Sequence, residues 1–138
     1  MVRLARVTKS DVVYDLGCGD GRMVIAAAKD FGARGVGVDI EPYWIEESIR
    51  NAKKVGVEHL TTFNVEDAMS VDLSPASVVM LYLVEWSMAK LRPIIESRAR
   101  PGTRIVSHSF GMDNLTPSKV EKFVAADGVS RTLYLWIV

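Results

Sequence analysis

The sequence predicts an α/β fold with a mostly parallel sheet and a closing antiparallel hairpin, on three observations. Short apolar runs alternate with helix-like segments along most of the chain. The most hydrophobic run, Ser77 to Val84, lies mid-chain and reads as a central parallel strand buried on both faces. The chain then ends in two strand-like segments joined at Asp127-Gly128, a hairpin signal.

Taken in order, Val12 to Leu16 is a short apolar run ending in glycine, the first strand. Arg22 to Phe31, rich in Ala and Met and stopped by Gly32, is the first helix. Gly35 to Asp39 is the second strand. Pro42 opens the second helix, with Ile45, Ile49 and Ala52 expected on one face, a Glu46–Arg50 pair on the other, and Gly56 as its stop. Leu60 to Val65 is the third strand. After Ser77–Val84 comes a helical region over Ser87 to Ala99, which Pro93 is expected to divide into two pieces. Pro101-Gly102 is a turn, and Thr103 to Ser109 is the fifth strand. Val120 to Ala125 and Arg131 to Val138 form the hairpin.

With 138 residues, the chain favours one domain, residues 1–138, and leaves little room for another. Lys plus Arg and Asp plus Glu are 17 each, so net charge is zero, which argues against a nucleic-acid-binding protein. The single cysteine, Cys18, excludes an internal disulfide and a multi-cysteine zinc site, and no cluster of His, Cys and carboxylates has metal-ligand spacing. No apolar run approaches the roughly 20 residues that span a bilayer, and the charged N-terminus does not read as a signal peptide. A cytoplasmic setting without a membrane partner is expected.

In an open α/β sheet, ligands bind beyond the carboxyl ends of the strands, so the loops after Leu16, Asp39, Val65 and Val84 should gather at the site. The first holds Gly17, Gly19 and Gly21, which permit a tight turn and close approach to backbone N–H groups. Their spacing is not that of the dinucleotide fingerprint. Asp15, two residues before Gly17, would repel a pyrophosphate but suit an ammonium. Asp39 ends the second strand, where a carboxylate can take both ribose hydroxyls. Singly, Asp15 reads equally well as a buried turn carboxylate and Asp39 as a helix cap. Jointly, the anionic lip fits a cationic sulfonium cofactor better than a dinucleotide. Asp67 is placed to accept from an adenine amino group, or to cap a turn. Cys18 reads as a space-filler in a tight loop.

These segments resemble the class I S-adenosylmethionine-dependent methyltransferases. Val-Tyr-Asp-Leu-Gly-Cys-Gly-Asp-Gly-Arg from Val13 and Gly-Val-Gly-Val-Asp from Gly35 carry the general likeness. Leu-Tyr-Leu-Val from Leu81, Lys-Leu-Arg-Pro from Lys90, Pro-Gly-Thr-Arg-Ile-Val-Ser-His from Pro101 and Thr-Leu-Tyr-Leu-Trp from Thr132 are similar to a short branch. That branch comprises the archaeal broad-specificity protein-lysine methyltransferases and the relatives that methylate a lysine of mitochondrial ATP synthase. The resemblance implies a Rossmann-like class I methyltransferase sheet with S-adenosylmethionine as cofactor. It places Asp15, Gly17 and Gly19 at the methionine part, Asp39 at the ribose and Asp67 at the adenine, with Cys18 and Ile40 also among the cofactor-binding residues. Leu81 then lies at the cofactor, and Tyr82 and Glu85 beside the transferring methyl. Trp86 and His108 are weaker candidates, and His59 reads as surface. The chain departs from the branch in beginning almost at the first strand, without the N-terminal segment that covers the cofactor there, and in carrying Ser109 where the branch is acidic.

The expected chemistry is N-methylation of a protein lysine by in-line displacement, with no dedicated base. A small-molecule acceptor stays open, and an RNA acceptor is less favoured because an Asp/Asn-Pro-Pro-Tyr type of loop is absent after the fourth strand. A cofactor-binding module dependent on a partner is the reading from a different class. The sequence leaves the oligomeric state open.

Overall fold

The structure, a computed structural model, describes residues 4–81, 85–108, 117–124 and 127–138, without the side chains of 85–89 and 123. Its elements are β1 (Val12–Leu16), α1 (Arg22–Phe31), β2 (Arg34–Asp39), α2 (Pro42–Lys54), β3 (Thr61–Val65), a 3-10 turn (Ala68–Ser70), β4 (Val78–Leu81), α3 (Glu85–Arg98), β5 (Arg104–His108), β6 (Lys119–Val124) and β7 (Ser130–Ile137). The seven strands form one sheet in the order β3-β2-β1-β4-β5-β7-β6. Strands β1 to β5 pair in parallel, and β7 runs antiparallel between β5 and β6. From β1 the chain steps outward through β2 and β3, then crosses back to β4 and β5. The switch point therefore lies between β1 and β4, and all five parallel strands present their carboxyl ends on one edge.

The local reasons follow the residues. Every residue of β4 (Val78, Val79, Met80 and Leu81) is fully buried, as expected for an apolar strand covered on both faces. α1 buries Val24, Ala27 and Ala28 and ends at Gly32, whose left-handed backbone turns its N–H back onto the last carbonyls. α2 starts with Pro42 in its first turn.

Three helix details differ from the sequence reading. Ile49 is 41% exposed, and the buried face of α2 is Ile45, Ser48 and Ala52. A polar Ser48 there cannot be foreseen from apolar periodicity. Arg50 pairs with Glu47 rather than Glu46. Pro93 does not divide α3: its ring lies on the exposed side, while Leu91 and Ile95 anchor the helix in the core. Val84, Ser109 and Ala125, expected at strand ends, lie outside the described residues.

Leu4, Ala5 and Val7 also escaped the sequence reading. They pack against Val13, Met80, Val106 and Leu133, covering one face of the sheet. Asp11 fixes this segment from beneath. Its carboxylate accepts from the Thr8 N–H at 2.8 Å and the Ser77 hydroxyl at 2.8 Å, and it pairs with Arg104. Arg104 in turn donates to the carbonyls of Ala5 and Arg6. Burial alone would raise the Asp11 carboxyl, but these donors outweigh it and hold it below the usual carboxylate value. Because the folded value is depressed, the stabilisation is present above the unfolded value and is lost as pH falls through the folded one. Asp11→Ala is expected to cost about 3 kcal/mol at pH 7 in urea unfolding, and progressively less as pH falls below the ordinary carboxylate value. A cost below about 0.5 kcal/mol at pH 7 would contradict this role.

Candidate cofactor and methyl-transfer site

The loop between β1 and α1 is built by hydrogen bonds from three directions. The N–H groups of Gly17 and Cys18 both donate to the Val38 carbonyl at 2.9 Å, fastening the loop to β2. From α2, the Ser48 hydroxyl donates to the Gly19 carbonyl at 2.7 Å and the Asn51 side-chain amide to the Asp20 carbonyl at 3.0 Å. The Asp39 carboxylate accepts from the Gly19 N–H and, through its other oxygen, from the Glu41 N–H, both at 3.0 Å. Asp39 thus ties the two loops together while each oxygen keeps lone-pair capacity. Its backbone carbonyl also accepts from the Glu66 N–H at 3.1 Å, which brings in the loop after β3.

Gly19 has φ of 54°, and a Cβ built on it meets nothing within 4 Å, so bulk there would project into open space. Gly37 is different in kind. A Cβ there would lie 2.7 Å from the Phe63 ring and 2.9 Å from Cys18 Cβ and Sγ. Gly37→Ala should therefore push Cys18 and the glycine loop off β2, at a cost of about 1–3 kcal/mol in urea unfolding. An unaltered midpoint would show that the loop is not packed this tightly.

An open cavity of about 360 Å³ sits at the carboxyl end of β1, between the glycine loop and the start of α1. Asp15 and Trp44 of α2 both line it. Asp15 is 3% exposed, and its Oδ1 is a buried side-chain oxygen with no hydrogen-bond partner, the one such atom among the described residues. Burial, then the charges of Asp39 and Asp20, push its carboxyl up to about 7. A buried acceptor without a donor is costly, and one facing a cavity is a place for a cationic donor.

The sequence-predicted residues fall into distinct groups. Asp15, Gly17, Cys18 and Gly19 line one cavity, and Asp39 reaches Gly19. The Cys18 thiol is not reactive: burial first, and then the charge of Asp15, push it up to about 12. Ile40 is 67% exposed beside the Asp39 loop, an apolar surface without cover. Asp67 is exposed, and its side chain accepts from the Met69 N–H at 2.9 Å, capping the 3-10 turn. The Leu81 side chain is fully buried in the core with Leu16 and Leu91, so only its backbone is offered to a ligand. Tyr82 lies outside the described residues; Glu85 and Trp86 open α3, with their side chains also outside. His108, at the end of β5, is buried, and desolvation, then the charge of Arg131, hold its imidazole below the usual value. His59 is on the surface.

Trp44, Ser48 and Asn51 were missed. Ser48 and Asn51 stand three apart on α2 between the apolar Ile45 and Ala52, and small polar residues on a buried face are the signal that could have found them.

Charge is segregated along the strand axis. The site edge carries Asp15, Asp20, Asp39, Glu41, Glu66 and Asp67, with Arg22 bound to Asp20. The opposite edge carries Arg6, Lys9, Arg34, Lys53, Lys54, Arg100 and Arg104, alongside Asp11, Asp30 and Glu58. Among the described residues, Lys122 and Arg131 stand at the β5–β7–β6 end of the site edge, so the anionic part is the rim formed by the loops after β1, β2 and β3.

Comparison with known proteins agrees with this architecture. Residues 15–119 match the family model of the ANTKMT methyltransferase domain. The chain is 40% identical to a protein-lysine N-methyltransferase of Saccharolobus islandicus, over all of this chain and 86% of the relative. It is 32% identical to the ATP synthase lysine N-methyltransferase of Xenopus laevis, over 82% of this chain but only 50% of that protein. A crystal structure of an RNA methyltransferase from Salinibacter ruber in complex with S-adenosyl-L-homocysteine superposes with a TM-score of 0.91. It is 44% identical, with 99% of this chain and 86% of that one covered. Fold and site define a class I S-adenosylmethionine-dependent methyltransferase. Within that class, the chain belongs to the ANTKMT methyltransferase family.

Proposed function

We propose that the chain methylates the side-chain amine of lysine in a protein substrate of the cytoplasm. The observation that carries this reading is the anionic rim of the loops after β1, β2 and β3, where Glu41 and Glu66 add to the carboxylates of the cavity. Such a rim attracts a cationic acceptor and repels a polyanion. The relatives named for lysine favour the same reading. The name of the Salinibacter structure favours RNA, which is the second reading.

The residues fit the cofactor. The orphaned Asp15 Oδ1 suits its ammonium, and the open space at Gly19 admits its methionine chain. Asp39 would hold the ribose, and the exposed Ile40 would pack on the adenine, with Asp67 near its amino group. The chemistry the cofactor supplies is a methyl group already activated on a sulfonium. The protein's part is to position and desolvate. Lysine, with an ordinary pKa of about 10.4, must lose a proton, and a desolvated mouth favours its neutral form without a dedicated base. His108, held neutral, adds no competing cation at the end of β5. Tyr82 and Glu85 remain the candidates for guiding the amine.

The test is incubation with methyl-labelled S-adenosylmethionine and a mixture of cell protein and total RNA. Label is expected in protein, recovered as methyl-lysine after acid hydrolysis. Label confined to RNA or to small molecules would overturn the proposal, and binding without transfer to any acceptor would favour a partner-dependent module.

A further inference from the structure

The cavity at Asp15 contains one more charged residue, to which the cofactor's ammonium, ribose and adenine give no role. Arg22, the first residue of α1, lines the same cavity, and it is the only cation among the described residues that do. Its position is fixed by Asp20. The Asp20 carboxylate accepts from Arg22 Nη2 at 2.8 Å and from Arg22 Nε at 3.1 Å, and from the Arg22 backbone N–H at 3.2 Å. Asp20 is itself held in the loop, its carbonyl accepting from Asn51 of α2. A long, exposed arginine is thus paired with Asp20 on the rim that the Asp15 cavity shares with a second hollow between α1 and α2, at the N-terminus of a ten-residue helix, where the backbone dipole also favours an anion.

Asp15, whose buried Oδ1 has no partner, lines the same cavity. A ligand that satisfies both residues carries a cationic amine and an anionic group close together, which is the pattern of an α-amino acid. We propose that Arg22, held by Asp20, is the binding residue for the α-carboxylate of the cofactor's methionine end, with Asp20 as its positioning residue. A guanidinium has five N–H donors in a planar fork, enough to serve two carboxylates at once. Asp20 engages the Nε and Nη2 side, and the ligand carboxylate shares the same group. The pairing selects cofactors with an intact amino-acid end over nucleosides that lack it. This inference rests on the placement of the cofactor's ammonium at Asp15.

The experiment is calorimetric titration, without acceptor, using S-adenosylmethionine and its decarboxylated form, which differ only in the carboxylate. For the wild type, decarboxylation is expected to weaken binding roughly tenfold, the worth of a partly exposed charge-assisted contact. For Arg22→Met, S-adenosylmethionine is expected to weaken to about the wild-type affinity for the decarboxylated ligand, which itself binds unchanged. Asp20→Asn is expected to remove part of the same carboxylate-dependent difference. Arg22 is on the surface, and coincident thermal melts of wild type and Arg22→Met would exclude a folding defect. Equal losses for both ligands in Arg22→Met, or no wild-type discrimination between them, would overturn the inference. Asp15→Asn in the same panel separates the two assignments: if it weakens neither ligand, the ammonium placement has failed first.

Discussion

Asp15→Asn is expected to make the cofactor-free protein more stable at pH 8 while weakening S-adenosylmethionine binding by roughly a hundredfold. Both effects come from one atom group. Asp15 is buried at the end of β1, its Oδ1 has no donor, and burial with the charges of Asp39 and Asp20 pushes its carboxyl up to about 7. A folded-state value raised from 3.8 to about 7 means that its stabilisation is fully present below the unfolded value. That stabilisation is lost as pH rises through about 7. At pH 8 the empty protein therefore carries an uncompensated buried carboxylate, and the neutral amide relieves it. Below about pH 4 the two proteins should melt together, since both are then uncharged at this position. The ligand's ammonium needs the ionised form. Wild-type affinity should accordingly rise with pH to a plateau above about 7, whereas Asp15→Asn should bind weakly with a flatter profile. A variant that melts lower at pH 8 and binds as well as wild type would show that Asp15 is a structural carboxylate.

Asp39→Ala should weaken cofactor binding by at least about tenfold, and more than loss of the ribose contacts alone would give. Asp39 accepts from the N–H groups of Gly19 and Glu41 before any ligand is present. Its removal frees the Gly19 end of the loop and also deletes the ribose acceptor. The stability cost is expected at about 1–3 kcal/mol, because two backbone donors lose a charged partner. Calorimetry and urea unfolding of the same preparation check the two parts separately. Unchanged affinity for S-adenosylmethionine would show that the ribose lies elsewhere.

The strand and helix order could be read along the chain because apolar run length and glycine stops fix it locally. β1 and α1 begin and end where Leu16, Arg22 and Gly32 predict. What could not be read depends on contacts between distant positions. Ser48 looks like an interruption of a helical apolar face until the Gly19 carbonyl is found 2.7 Å away. Ile49 continues the periodicity yet points outward, because the close approach of α2 to the glycine loop leaves room only for a small side chain. Pro93 breaks a rule of isolated helices, and the helix runs through it with Leu91 and Ile95 fixed in the core on either side.

The same distinction applies within the site. The carboxylates and glycines carry their chemistry in the motif and were legible. Trp44 and Arg22 were not assigned, since an aromatic on one helix and an arginine opening another acquire a role only through the cavity they share. The anionic rim after β1, β2 and β3 was equally invisible in a composition that sums to zero. It required the topology that puts Asp15, Asp39 and Asp67 at one end of parallel strands.

The central claim, that the Asp15 cavity holds the cofactor's amino-acid end while Asp39 holds its ribose, is tested most directly by one calorimetric series. S-adenosylmethionine is titrated into wild type, Asp15→Asn and Asp39→Ala at pH 6 and pH 8. The account predicts one saturable site in the wild type, tighter at pH 8, with both variants weakened and the pH dependence lost in Asp15→Asn. Equal affinity in all three proteins, or no saturable binding to the wild type at either pH, would contradict it.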